Sequence, residues 1–169
     1  TIGNSVTSIG NSAFSGCSGL TGELVIPNSV TSIGNGAFED CTSLTSPVYN
    51  AHVFAYLPTS YSGAYTIPDG IESIAGSAFS GCSGLTSIEI PNSVTSIGGW
   101  AFAGCSGLTS VTCEAVNPPA LGDAVFNGVD KSIPLYVPTA SVNAYQSDPL
   151  WGQMNIIGLD EDISAVDNT

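Results

Sequence analysis

Apolar and polar residues alternate in short bursts along this chain, and the bursts repeat. In Leu85-Thr86-Ser87-Ile88-Glu89-Ile90-Pro91, Ile88 and Ile90 alternate with Ser87 and Glu89, the period of a half-buried strand. Pro91 lacks a main-chain donor and fixes its own backbone, so it ends that strand. Asn92-Ser93 turns the chain, and Val94-Thr95-Ser96-Ile97 alternates again as a second, shorter strand. Gly98-Gly99 then leads into Trp100-Ala101-Phe102-Ala103-Gly104-Cys105, where Ala101, Phe102 and Cys105 have the spacing of one helical or 3-10 turn with a buried face. Ser106-Gly107 returns the chain to Leu108. The pattern predicts a coil made of strand, turn, short strand and helical turn.

That coil recurs along the sequence. Phe14, Phe38, Phe79, Phe102 and Phe126 mark it, at spacings of 24, 41, 23 and 24 residues. Leu20, Leu44, Leu85 and Leu108 keep step, as do Cys17, Cys41, Cys82 and Cys105. Fixed apolar places at a period in the twenties mark a solenoid, whose single unit cannot bury its own apolar face but whose stacked units bury a shared one. A chain of 169 residues has room for about five to six coils plus caps. Stacking predicts one continuous buried column of the five phenylalanines. Four cysteines would point the same way at one repeat position, a geometry unsuited to the disulfide torsion, so buried thiols are expected.

The departures from the pattern are as informative. The 41-residue spacing holds one ordinary coil and one shortened coil, placed at 45–66. This stretch carries His52 and the tyrosines at 49, 56, 61 and 65. Either the rings fill space that a missing Ala-Phe turn leaves, or Tyr56, Tyr61 and His52 form an exposed recognition patch. Trp100 stands where the other copies have Ser12, Gly36, Ser77 and Ala124, so it is expected at an outward or tightly turned position. There it would anchor a partner, stack on a sugar ring or cover the neighbouring coil. The array is expected to span 1–138, with a cap at 139–159 and an acidic tail at 160–169. In the cap, Thr139 would start a helix over Ala140–Gln146, Asp148-Pro149 would stop it, and Trp151 would be structural. Thr1–Ile9 aligns with the stretch that begins at Ile26, so the chain opens inside a repeat. Self-association through this N-terminal open end is the expectation.

Composition narrows the functional classes. Fourteen acidic residues face one base, Lys131, for a net charge of −13, and arginine is absent. Nucleic acid and anionic membrane surfaces both need cationic contacts, so neither is an expected partner. No apolar run is long enough for membrane insertion, and no signal segment is expected within these residues. Serine and threonine are abundant, but one histidine is a thin basis for a nucleophile's base. No zinc or calcium ligand pattern and no phosphate loop occurs, so no enzyme, metal or cofactor is expected.

The constellation Ile33, Ala37-Phe38, Cys41, Leu44, repeated as Ile74, Ala78-Phe79, Cys82, Leu85, Ile88, Ile90-Pro91 and Val94, resembles the BspA-type leucine-rich repeat family. The resemblance covers about residues 2 to 138 and implies a right-handed leucine-rich-repeat solenoid. It further implies a cell-surface or secreted bacterial protein that binds host or bacterial surface proteins, adhesin-like in role. A structural spacer and a glycan-binding module are the alternatives. Aligning the coils on Glu89 gives a candidate outward row of Val25, Val48, Thr66, Glu89, Thr112 and Tyr136, with Trp100, Tyr56, Tyr61 and His52 as further candidate contacts.

Overall fold

A computed structural model describes residues 1–159; the acidic tail expected at 160–169 lies outside the described residues. The chain winds into a β-solenoid of about seven turns with one short helix near the C-terminal end. Its strands are β1 (Ser8–Ile9), β2 (Ser32–Ile33), β3 (Val48–Tyr49), β4 (Val53–Tyr56), β5 (Gly63–Thr66) and β6 (Ser73–Ile74). There follow β7 (Leu85–Ile90), β8 (Ser96–Ile97), β9 (Ser110–Cys113), β10 (Ala120–Leu121), β11 (Pro134–Val137), the helix α1 (Val142–Ser147) and β12 (Asn155–Gly158).

Two strips of strands run along the solenoid. One has the order β5-β7-β9-β11-β12 and carries the longer strand of each coil. The other, β3-β4-β6-β8-β10, carries the short strand, and β1 pairs with β2 as a separate pair. All pairings are parallel except β3 with β4. Register follows the repeat: Ile88 lies opposite Val111, Glu89 opposite Thr112 and Ile90 opposite Cys113. Equivalent residues therefore stack, and Leu85, Ile88, Ile90, Val94 and Ile97 point into a closed core.

The Ala-Phe segment follows a different local plan from the expected helical turn. Ser80 N–H donates to the Ser77 carbonyl and Cys82 N–H to the Phe79 carbonyl, which makes a string of tight turns. The alternate groups point along the solenoid axis: Phe79 N–H donates to Ala101 and Gly81 N–H to Ala103 of the next coil, both at 2.8 Å. The segment thus works as turn and ladder at once, so none of these main-chain donors is left buried and unpaired. At its entry the backbone is left-handed in successive coils, with φ of 56° at Ser12, 64° at Gly36, 61° at Ser77 and Trp100, and 52° at Ala124. Just ahead of that corner the coils nearly touch. A Cβ on Gly98 would sit 2.3 Å from the Gly76 nitrogen, so only glycine fits there.

The phenylalanine column is not continuous, which corrects the expectation. Phe14 stacks on Phe38 at 5.3 Å, and a second stack runs Phe54, Phe79, Phe102, Phe126 at 4.8, 4.8 and 5.5 Å. Phe54, from the shortened coil, is the first phenylalanine of the second stack, with the Tyr49 ring stacked on it at 5.8 Å, and the buried side chains fall into two clusters that part at this coil. Phe14 itself is only half-buried. The cysteines are free and, Cys17 apart, buried. The thiols of Cys41 and Cys105 donate to the carbonyls of Phe14 and Phe79 one coil back, at 3.0 and 3.1 Å.

At the C-terminal end α1 starts at Val142 after a 3-10 turn over Thr139–Ser141, later than the expected start at Ala140. Ser141 Oγ donates instead to the Val116 carbonyl at 2.7 Å. Tyr145 and Trp151 are fully buried over the last coil. The Tyr145 hydroxyl donates to the Ala115 carbonyl at 2.6 Å and the indole N–H of Trp151 to that of Pro119 at 2.8 Å. Two amphipathic rings thereby close the core while their polar atoms remain paired.

Candidate binding surface

The outward face of the longer strands is the broadest regular surface, and it is built by alternation. Thr66, Glu89, Thr112 and Tyr136 lie side by side in register across β5, β7, β9 and β11, and Ile157 of β12 continues the row. Thr66 Oγ1 donates to the Glu89 carboxylate at 3.1 Å. Partial burial, reinforced by the hydrogen bond and charge of Glu89 and the charge of Asp69, holds the Glu114 carboxyl above the usual carboxylate range. The middle of the face is therefore acidic, and its C-terminal part carries the Tyr136 ring.

At the N-terminal end the row differs from expectation. Val25 is outward and 70% exposed, but Val48 is fully buried and its place is taken by Tyr49, 42% exposed. Ile26 lies six positions after Leu20 and Asn50 six after Leu44, whereas Ile90 lies five after Leu85. One extra residue in a strand turns every following side chain to the other face. Asn50 thus occupies the core place of Ile26 and Ile90. It is buried, and its Oδ1 accepts the N–H groups of His52 and Val53, both at 2.9 Å, which bends the chain tightly from β3 into β4.

That bend separates the two readings of the aromatic stretch. Tyr56 is 3% exposed, so it is a filler of the gap where the shortened coil lacks its Ala-Phe turn. His52 lies on the side of the short strands, its ring 3.9 Å from the Glu72 carboxylate. Tyr61 sits against β5, with its hydroxyl on the Ala64 carbonyl and its ring edge-on to Tyr65 at 5.5 Å. The three candidates do not converge. Tyr49, which no motif had singled out, was hidden because the marker that follows Ile26 and Ile90, a proline, is absent after Asn50.

Between the N-terminal coils and β5 the face is split by a cleft of about 490 Å³, lined by Glu23, Leu24, Val25, Tyr49 and Tyr65 among others. Burial, then the neighbouring phenols of Tyr49 and Tyr61, pushes the Tyr65 hydroxyl far above its ordinary range, so it remains neutral. Trp100 stands apart on the left-handed corner, 49% exposed. Among the described residues no group of three His, Cys, Asp or Glu side chains is placed to hold a metal ion, and no helix is long and apolar enough to cross a membrane.

Six copies of a pattern described as BspA type Leucine rich repeat region match the chain, over residues 1–62 and 50–148. No curated protein sequence matches it. Similar crystal structures include two of bacterial proteins. One is a leucine rich cell surface protein from Faecalibacterium prausnitzii, at 25% identity and a TM-score of 0.49, over 94% of this chain and 53% of that one. The other is a leucine-rich repeat protein from Bacteroides ovatus, at 21% identity and a TM-score of 0.48, over 95% and 51%. The chain spans about half the length of both.

Proposed function

Because the chain belongs to the BspA-type leucine-rich repeat family, we propose that it is a non-enzymatic binding module of a cell-surface or secreted bacterial protein, adhesin-like in role. The observation that carries this reading is the outward row of the longer strands. A spacer needs only a solvated face, whereas here Val25, 70% exposed, and Tyr49, 42% exposed, line a cleft at the N-terminal end of that face, and Tyr136 lies beside Thr112 further along it. Exposed aromatic residues on a rigid sheet supply contact area at little entropic cost, the usual property of an interface anchor. A net charge of −13 directs the choice toward partners that are neutral or basic.

The test is a binding screen of the purified domain against host matrix proteins and bacterial surface proteins, read by surface plasmon resonance. A partner is expected whose binding weakens by about tenfold when Tyr49 or Tyr136 is changed to alanine. Retention of every bound partner by a Tyr49→Ala, Tyr136→Ala double variant would remove the row from the reading.

One observation favours a second reading. Trp100 is half exposed at a corner where the neighbouring coils carry only Ser77 and Ala124, so both sides of the indole are flanked by small residues. An open aromatic face stacks well on a sugar ring. A glycan array probed with the native protein and with Trp100→Gly separates this reading from the first.

A further inference from the structure

The strip of longer strands ends at β5, inside the array and not at its tip. In a regular coil the preceding strand would pair with β5. Here β3 turns away at Asn50 and pairs antiparallel with β4 in the other strip, so one side of β5 has no strand partner among the described residues, and on it only the Ala64 carbonyl is taken, by the Tyr61 hydroxyl. Ile67 N–H donates to the Glu89 carbonyl at 3.0 Å, and Thr66 lies opposite Glu89. In a parallel pair such a residue turns its own N–H and C=O away from the partner strand, so the main chain of Thr66 faces the open side. The cleft beside it has the inward-register side chains Leu24 and Tyr65 for a floor and the outward Val25 and Tyr49 as a rim.

We propose that this cleft docks an extended, basic peptide segment of a partner protein, which adds to the open side of β5. The proposal rests on the protein-binding reading above and gives it a location and a partner chemistry. An unpaired strand side recognises extended main chain, and pockets beside it select alternate side chains. An apolar side chain of the segment would enter over Leu24 and Tyr65. Carboxylates stand on both flanks, Glu23 at the cleft and Glu89 one strand beyond β5, in a chain with a single base and no arginine. Lysine or arginine at the alternate positions of the segment is the complement to that field.

The experiment pans a displayed library of random linear heptapeptides on the intact protein and measures an enriched peptide by fluorescence anisotropy. Enriched sequences are expected to alternate basic and apolar residues. Glu23→Lys should weaken binding roughly fivefold, the value of one rim charge pair, and Tyr49→Ala about tenfold. Glu39→Lys, on an exposed turn away from the cleft, should leave it unchanged, and methylating the peptide's main-chain nitrogens should abolish it. Thermal melts show whether each variant is folded; if Tyr49→Ala is not, Glu23→Lys and the methylated peptide decide. Acidic or unrelated sequences, or equal binding by Glu23→Lys and by the methylated peptide, would overturn the proposal. A protein partner that still binds the Glu23→Lys variant at full strength but is lost on Tyr136→Ala would overturn it too, while leaving the surface-binding reading in place.

Discussion

The side-chain amide of Asn50 donates to the Val30 carbonyl oxygen at 2.8 Å, one coil back and in the core. A second bond reaches the Pro27 carbonyl at 3.0 Å, and the Asn50 oxygen takes two main-chain N–H groups ahead of it. One buried polar residue, fully paired, thus ties coil to coil and sets the bend that distinguishes the shortened coil from its neighbours.

Replacing Asn50 by isoleucine restores the residue of the equivalent positions Ile26 and Ile90, and on the repeat alone should stabilise. The expected result is the opposite. Two carbonyls and two N–H groups lose their partners in the interior, a loss of about 2–4 kcal/mol even after some regain water. Urea denaturation of Asn50→Ile against the native protein checks it.

The central rings should be costlier to remove than the terminal one. Phe79 and Phe102 are fully buried and stacked on both sides, so truncation to alanine should cost about 3–5 kcal/mol through lost transfer energy and a cavity. Phe14 is half-buried with one stacked neighbour, and Phe14→Ala should cost clearly less. Equal losses in chemical denaturation would contradict the two-stack arrangement.

At Trp100 stability and binding should separate. A side chain at φ 61° costs about 1–2 kcal/mol that glycine does not incur. Trp100→Gly should therefore melt no lower than the native protein, whatever it does to glycan binding. Gly81→Ala, at φ 76°, should lower stability by about 1 kcal/mol. Differential scanning calorimetry of the two variants gives the comparison.

The thiols predict a loss of stability in alkali. Burial pushes Cys82 and Cys105 from an ordinary value of 9.0 up to about 12, so the folded chain keeps protons that the unfolded chain sheds. Their contribution is full below pH 9 and declines as pH rises from about 9 to about 12. Chemical denaturation across this window should show a declining free energy of unfolding, and a shallower decline for a Cys82→Ala, Cys105→Ala double variant. At pH 8 the same two thiols should resist alkylation in the folded protein and react once it is unfolded.

What the sequence disclosed was whatever the repeat wrote more than once. Ile88 and Ile90 inside, Glu89 outside, cysteines stacked at one place and a glycine corner all follow from matching copies. The Ala-Phe turn, written in copy after copy, still differs from the expected helical turn because its alternate donors serve the next coil, and other errors arose where one copy departed from the rest. Aligning the coils on Glu89 puts Val48 outside, whereas it is buried, and the buried amide of Asn50 does not resemble the isoleucine whose place it takes. Tyr56 was open to two readings because a ring fills a cavity as well as it meets a partner. The open side of β5 was not visible at all, since it depends on which neighbour β3 chooses, a long-range pairing that periodicity does not encode.

The axial hydrogen bonds of the Ala-Phe turns bear on how the molecule responds to force. Bonds such as Phe79 to Ala101 and Gly81 to Ala103 join one coil to the next along the long axis of the solenoid. Tension from end to end loads these junctions in series, so each carries the full pull and the weakest gives way first. That junction is at the shortened coil, where the apolar interior divides in two and the strip of longer strands is interrupted. Yielding there would open the N-terminal coils from the rest while the Phe79–Phe102–Phe126 stack stays closed, so under load the solenoid would lengthen in steps.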